Sequence, residues 1–119
     1  MGRARVWAAE ARVLAEGMEG EPVLADLACA LAAIARVERR WSQAEEWIRI
    51  ALEAAEGGRN PLAAADAREI RARSRIDRGR MEEAAAEIEK ARAAYRALGA
   101  DGALARVERL ASEIARYAT

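Results

Sequence analysis

The chain is predicted to be all-α, with six helices packed as stacked antiparallel helical hairpins. Three observations lead there. Alanine, the best helix former, supplies 33 of the 119 residues. Proline occurs twice, phenylalanine is absent, and runs of β-branched residues are missing. The third observation is a recurring face. Ala84, Ile88 and Ala91 fall at i, i+4 and i+7 on one side of a helix, and they return forty residues earlier as Ala44, Ile48 and Ala51. One period further back the same places hold Ala4, Ala8 and Ala11. A face that recurs at a fixed period marks a repeat whose units stack, and its small residues let helices cross at short range.

The elements follow in order. Val6, Ala9, Val13 and Leu14 keep helical register over 3–16, and Gly17 and Gly20 stop them. Pro22 suits the first turn of a second helix, which runs to about Arg39 with Val23, Leu24, Leu27, Ala30, Leu31, Ile34 and Val37 as a broad apolar stripe. Ser42 and Glu45 have the spacing of a capping box and open a third helix over 43–56, ended by Gly57-Gly58. Asn60-Pro61 supplies an N-cap and a first-turn proline for a fourth helix over 61–78. Gly79 breaks that helix, and a fifth runs 81–98 to Gly99. Asp101 caps a sixth, which carries Leu104, Val107, Leu110, Ala111, Ile114 and Tyr117. The domain reading is a half-repeat at 3–17, repeats at 22–57 and 61–98, and a terminal helix at 101–118.

The forty-residue register holds beyond the opening trio. Leu24, Ala64 and Leu104 correspond, as do Leu27, Ala67 and Val107, and Ala30, Ile70 and Leu110. These residues resemble the tetratricopeptide repeat, with the best match at 65–98 through Ala72, Gly79, Ala84, Ile88 and Ala91. The segment 25–58 is similar through Leu31, Ala32, Trp41, Ala44, Ile48 and Ala51, with Arg39 where the turn glycine belongs. The resemblance implies a right-handed α-solenoid whose first helices line a concave surface, and a role as a protein–protein interaction scaffold. Its period of forty is longer than the family's usual one and is similar to long-helix variants in bacterial regulatory proteins. Two departures stand out. Arg68, Arg71 and Arg75 occupy places where the family buries large apolar side chains. Cys29 and Ala33 stand where the family's carboxylate-clamping subgroup has Lys and Asn, so that activity is not implied.

Composition excludes more than it assigns. Twenty basic and twenty acidic residues give zero net charge, so no global field favours nucleic acid or an anionic membrane. Arginine outnumbers lysine 19 to 1, which fits a GC-rich genome or a surface rich in bidentate ion pairs. The chain has no histidine, which removes the usual general base and most metal sites. No phosphate-loop motif occurs, and Glu45-Glu46 and Glu82-Glu83 sit in first turns, where the helix dipole explains them. No enzyme activity and no cofactor is expected. A single cysteine, Cys29, and the lack of a signal peptide or spanning segment point to the cytoplasm.

Two places attract a binding hypothesis. Arg68, Arg71, Arg75 and Arg78 form one stripe of the fourth helix, suited to gripping an acidic peptide or phosphate. The competing reading, favoured by charge neutrality, pairs that stripe internally with acids of helices three and five. The repeat resemblance makes Asp26, Ala33, Arg36, Glu69, Arg73, Ile76, Arg106, Arg109, Arg116 and Tyr117 inward-facing, so Arg36, Arg73, Arg106, Arg109 and Tyr117 are the candidate partner-binding residues of a mildly basic groove. Trp7, Trp41 and Trp47 read as packing residues, with Trp47 the most exposed of the three. The expected partner is a protein or acidic peptide. Either a longer array or self-association into a two-fold dimer is also expected, because the half-repeats leave apolar edges on helix six (Ala111, Ile114, Tyr117) and helix one (Trp7, Ala8, Ala11). The alternative to a scaffold is a self-associating regulatory or sensor domain.

Overall fold

A computed structural model describes residues 2–118, with side chains placed from residue 9 to residue 117. All regular structure among these residues is helical: α1 (Gly2–Gly17), α2 (Val23–Val37), α3 (Trp41–Gly57), α4 (Pro61–Asp77), α5 (Met81–Leu98) and α6 (Asp101–Ala118). Ala4, Val6, Trp7 and Ala8 lie outside the described side chains, so of the N-terminal copy of the recurring face only Ala11 is described.

The turns set a stricter metre than the forty-residue repeat. Arg39, Arg59, Gly79 and Gly99 all have positive φ, at 60°, 52°, 75° and 69°. The residue after each donates its amide five residues back: Arg40 to Ala35, Asn60 to Ala55, Arg80 to Arg75 and Ala100 to Tyr95, at 2.8, 2.8, 2.7 and 2.9 Å. This is the Schellman closure, in which a left-handed residue folds the chain over the last turn of a helix. Helices α3 to α6 accordingly begin at 41, 61, 81 and 101. Glycine takes a left-handed conformation without strain, but arginine must hold it at Arg39 and Arg59. The glycines Gly57 and Gly58 end α3 yet sit two and one residues before the place where glycine is needed.

Cap chemistry differs between the two apparent capping sites. Asn60 Oδ1 accepts from the Ala63 amide at 3.1 Å, with Pro61 behind it, as the sequence requires. The Ser42–Glu45 capping box does not form. Helix α3 starts two residues earlier, at Trp41, with Arg40 as an N-cap that makes no side-chain bond. Glu45 is drawn instead to arginines of α4. Asp101 is the first residue of α6 itself, where its charge still favours the helix dipole.

Sequence neighbours α2 and α3 pack together, as do α4 and α5; α4 also touches α2 and α3, α6 lies on α5, and α1 lies on α3. The core is alanine-rich because helices approach closely. Ala44, Ala51, Ala84 and Ala91 are fully buried, as the repeating face demands, together with Ile48 and Ile88. Helices α3 and α5 bury equivalent positions down to Ala55 and Tyr95. Trp47 is buried at 6% exposure beside Ala11, Leu24 and Ile48, so its expected exposure is corrected; of the two described tryptophan side chains it is Trp41 that is half-buried. The second correction concerns α2. Only part of its apolar stripe enters the core: Leu24 is buried, whereas Val23, Ile34 and Val37 are 53%, 55% and 72% exposed.

Candidate functional site: polar clusters on two sides of α4

Glu69 is the hub of the first cluster. It lies on α4 with only 5% exposure, and a buried carboxylate needs partners to stay charged. Arg106 of α6 reaches it with both prongs, Nε to Oε2 at 2.7 Å and Nη2 to Oε1 at 2.8 Å. Arg73, one turn further along α4, donates to Oε2 at 3.2 and 3.1 Å. The buried Tyr95 hydroxyl of α5 stands 3.0 Å from Glu69 Oε1 and 2.6 Å from Asp66 Oδ1, donating its single proton between two carboxylates. Burial alone would raise the Glu69 pKa, but hydrogen bonds from Arg106, Tyr95 and Arg73 outweigh it and hold the group below the usual carboxylate range. Burial, with the adjoining Asp66 and Glu69, pushes the Tyr95 phenol up. The grip on Glu69 keeps the Arg106 guanidinium more firmly protonated than usual. At neutral pH Glu69 is therefore ionised, Arg106 protonated and Tyr95 neutral, with Arg73 and Asp66 as their hydrogen-bond partners.

The predicted groove residues divide. Arg73 and Arg106 meet at Glu69, and Arg36 of α2 donates to Asp77 Oδ2 at the end of α4 at 2.6 Å. Three of the five candidates thus lie in ion pairs that bridge or edge α4. Arg109 and Tyr117 stand apart on α6, both in solvent, Tyr117 at 73% exposure. The apolar edge expected on α6 is small. Val107 and Leu110 are buried, while Ala111 and Ile114 pack in part beside Ala72, Ile88 and Leu110, leaving Tyr117 in solvent.

A second cluster involves the arginine stripe of α4, which is paired internally. Arg68 and Arg71 lie 3.5 and 3.4 Å from Glu87 of α5. Arg75 engages Glu45 of α3 directly and Glu83 of α5 at 3.0 Å, and Arg71 lies 3.8 Å from Glu45. The fourth member, Arg78, sits 5.8 Å over the Trp41 ring, a cation–π distance. Between α3 and α4 opens a cleft of about 440 Å³, lined by Trp41, Ser42, Glu45, Glu46, Arg49, Arg71 and Arg78. Glu46 is 7% exposed and is held by Arg49 and by Arg12 of α1, 3.3 Å away. The cleft carries both charge signs, with each carboxylate already engaged by arginine.

Residue-by-residue reading missed the Tyr95 cluster and this cleft. A signal existed for the first: Tyr95 stands where the preceding repeat has Ala55, and a hydroxylated ring in an alanine position needs a polar partner. Cys29 donates its thiol to the Ala63 carbonyl at 3.5 Å, and burial, helped by Asp66 and Asp26, pushes its pKa up to about 12. That removes the thiolate needed for nucleophilic chemistry. Among the described residues no group of three or more His, Cys, Asp or Glu is placed to hold a metal ion, and no helix is long and apolar enough to cross a membrane. Compared with protein-family models, curated proteins and solved structures, the chain matches none.

Proposed function

We propose that the chain is a short right-handed α-solenoid of stacked antiparallel hairpins, resembling tetratricopeptide repeats, and that it acts as a non-enzymatic protein-interaction scaffold. The Cα envelope of 43 × 34 × 17 Å supports that reading, because its short dimension is what two helical layers require. So does the twenty-residue spacing of the turns. Its binding surface is the side of the first helices, α2, α4 and α6, and its partner an acidic peptide or protein segment. The observation that carries this is the partition of guanidinium groups there: Arg73 and Arg106 converge on the single carboxylate Glu69, and Arg109 adds a third cation in solvent. A partner carboxylate would compete for Arg73 and Arg106, dock on Arg109 and pack against Tyr117.

Fluorescence anisotropy tests it with two labelled twelve-residue peptides, one alternating glutamate and alanine, the other alternating serine and alanine. Binding of the acidic peptide alone, weakened at least about tenfold in the Arg109→Glu/Tyr117→Ala protein, is the expected result. Equal affinity for both peptides would sink it. A second reading, a self-associating regulatory or sensor domain, is favoured by the apolar side chains that α2 leaves in solvent.

A further inference from the structure

Helix α2 is apolar on both faces. Only Asp26 and Arg36 are charged in its 15 residues, whereas α4 carries seven charged residues and α6 six. A helix that is hydrophobic all round is normally covered all round. One face of α2 is covered, by Leu24, Ala25, Ala28, Ala32 and Ala35 turned into the core. The other consists of Val23, Leu27, Ala30, Ile34 and Val37, at i, i+4, i+7, i+11 and i+14. All but the half-buried Leu27 are exposed. The forty-residue equivalents show what this face does elsewhere in the fold. In α4 Ala63, Ala67 and Ser74 of this face are buried and Ile70 half-buried, and in α6 Val107 and Leu110 are buried with Ala103 and Ile114 half-buried; only the last positions, Asp77 and Tyr117, are exposed. In α2 four of the five positions are exposed, and nothing among the described residues lies over them.

We propose that this face is the contact surface of a two-fold homodimer, in which the α2 helices of two copies pack antiparallel across Ala30. The inference rests on the self-association reading and not on the peptide groove. The spacing is that of a helix seam whose partner is another helix. Val23 and Val37 lie seven residues either side of Ala30, so an antiparallel pairing about that residue sets valine against valine. The small central side chain lets the axes approach closely. Charge chooses both the occupant and the direction. The entry to α2 carries exposed Glu19 and Glu21, and its exit carries exposed Arg39 and Arg40 beside one acid, Glu38. Antiparallel pairing brings Glu21 of each copy to the Arg39–Arg40 end of the other and opposes the helix dipoles favourably; parallel pairing would set acid against acid. A head-to-tail chain is disfavoured, because the outer side of α6 offers exposed Arg109, Ser112 and Glu113 where an apolar surface would be needed.

Sedimentation velocity from about 1 to 500 µM, with circular dichroism on each protein, tests the proposal over the range expected of a small interface. The wild type is expected to pass from the 12.9 kDa monomer to twice that mass as concentration rises. Ile34→Glu, a change at an exposed position, should keep full helicity and remain monomeric throughout. Glu21→Arg should weaken the dimer about tenfold, and Glu21→Arg combined with Arg40→Glu should restore most of it. A wild type that stays monomeric at the highest concentration would overturn self-association itself and leave the face to some other occupant. A dimer that persists in Ile34→Glu would overturn only the assignment to α2. A double charge swap no tighter than Glu21→Arg alone would overturn the antiparallel arrangement.

Discussion

Arg106 and Glu69, 37 residues apart, are joined by two parallel hydrogen bonds, the fork-to-carboxylate geometry that makes arginine irreplaceable by lysine. Because Glu69 is held below its ordinary pKa, its ionised form is preferred more in the folded chain than in the unfolded one. The stability this gives is present in full above the unfolded carboxylate value, near 4.3. It is lost as pH falls through the lower folded value. Urea unfolding of the wild type should therefore weaken below about pH 4, and Glu69→Gln should remove part of that acid dependence while lowering stability at pH 7. Arg106→Ala should cost about 1–2 kcal/mol at pH 7, since Arg73 and Tyr95 still serve the carboxylate. An acid limb that is the same in Glu69→Gln would show that the pair does not set it.

Close helix crossing predicts intolerance of volume. Ala84 has no exposed surface, and Ala84→Leu should destabilise the chain by roughly 1–3 kcal/mol through overpacking. Ala86, two residues along and exposed, should accept leucine within about 0.5 kcal/mol. Paired thermal melts decide it, and similar melting temperatures for the two variants would contradict the packing.

The misplaced glycines make the opposite prediction. Arg39→Gly and Arg59→Gly each relieve a left-handed arginine, and each should stabilise the fold by about 1 kcal/mol. The urea midpoint should rise in both variants, and the effects should add because the turns are remote from one another. Glycine at exposed Glu53, inside α3, should instead cost about 1 kcal/mol.

Salt should separate the two sides of the arginine stripe. Arg71 and Arg75 are about a fifth exposed, at 21% and 17%, and lie among Glu45, Glu83 and Glu87. Alanine at either should lower stability measurably at low ionic strength. The deficit should narrow by 1 M salt as screening weakens the wild-type pairs. No thermal cost at any salt concentration would return these arginines to solvent.

Fold class, helix number and the Ala44, Ala51, Ala84 and Ala91 crossings were legible in the sequence because they rest on periodicity, which a helix expresses locally. The internal pairing of the arginine stripe was legible from charge balance. The Ser42–Glu45 capping box was misread because Glu45 has a stronger partner in Arg75, thirty residues away, and local motifs do not announce distant competitors. Trp47, flanked by Glu46 and Ile48, was misread because the acid beside it is itself buried and paired with Arg49. The α2 stripe could not be divided from sequence, since covered and bare apolar faces have the same composition. Tyr95, Asp66 and Glu69 come together only when α4 and α5 pack, so no spacing rule connects them.

The even metre of the turns has a consequence for how this chain can change in length. One residue inserted within a helix rotates everything beyond it by about 100°, turning buried alanines to solvent. Removal of residues 61–100 is a different operation. It joins Asn60 to Asp101 at equivalent points of the cycle and offers α6 the seat on α2 and α3 that α4 now holds. Val107 and Leu110 would then stand where Ala67 and Ile70 do, apolar for apolar. Duplication of the same forty residues would lengthen the stack by one hairpin without disturbing any phase. If the hairpins stack as proposed, growth or loss by whole modules is the size change such a fold would tolerate, with Asn60 and Ala100 as its natural junctions.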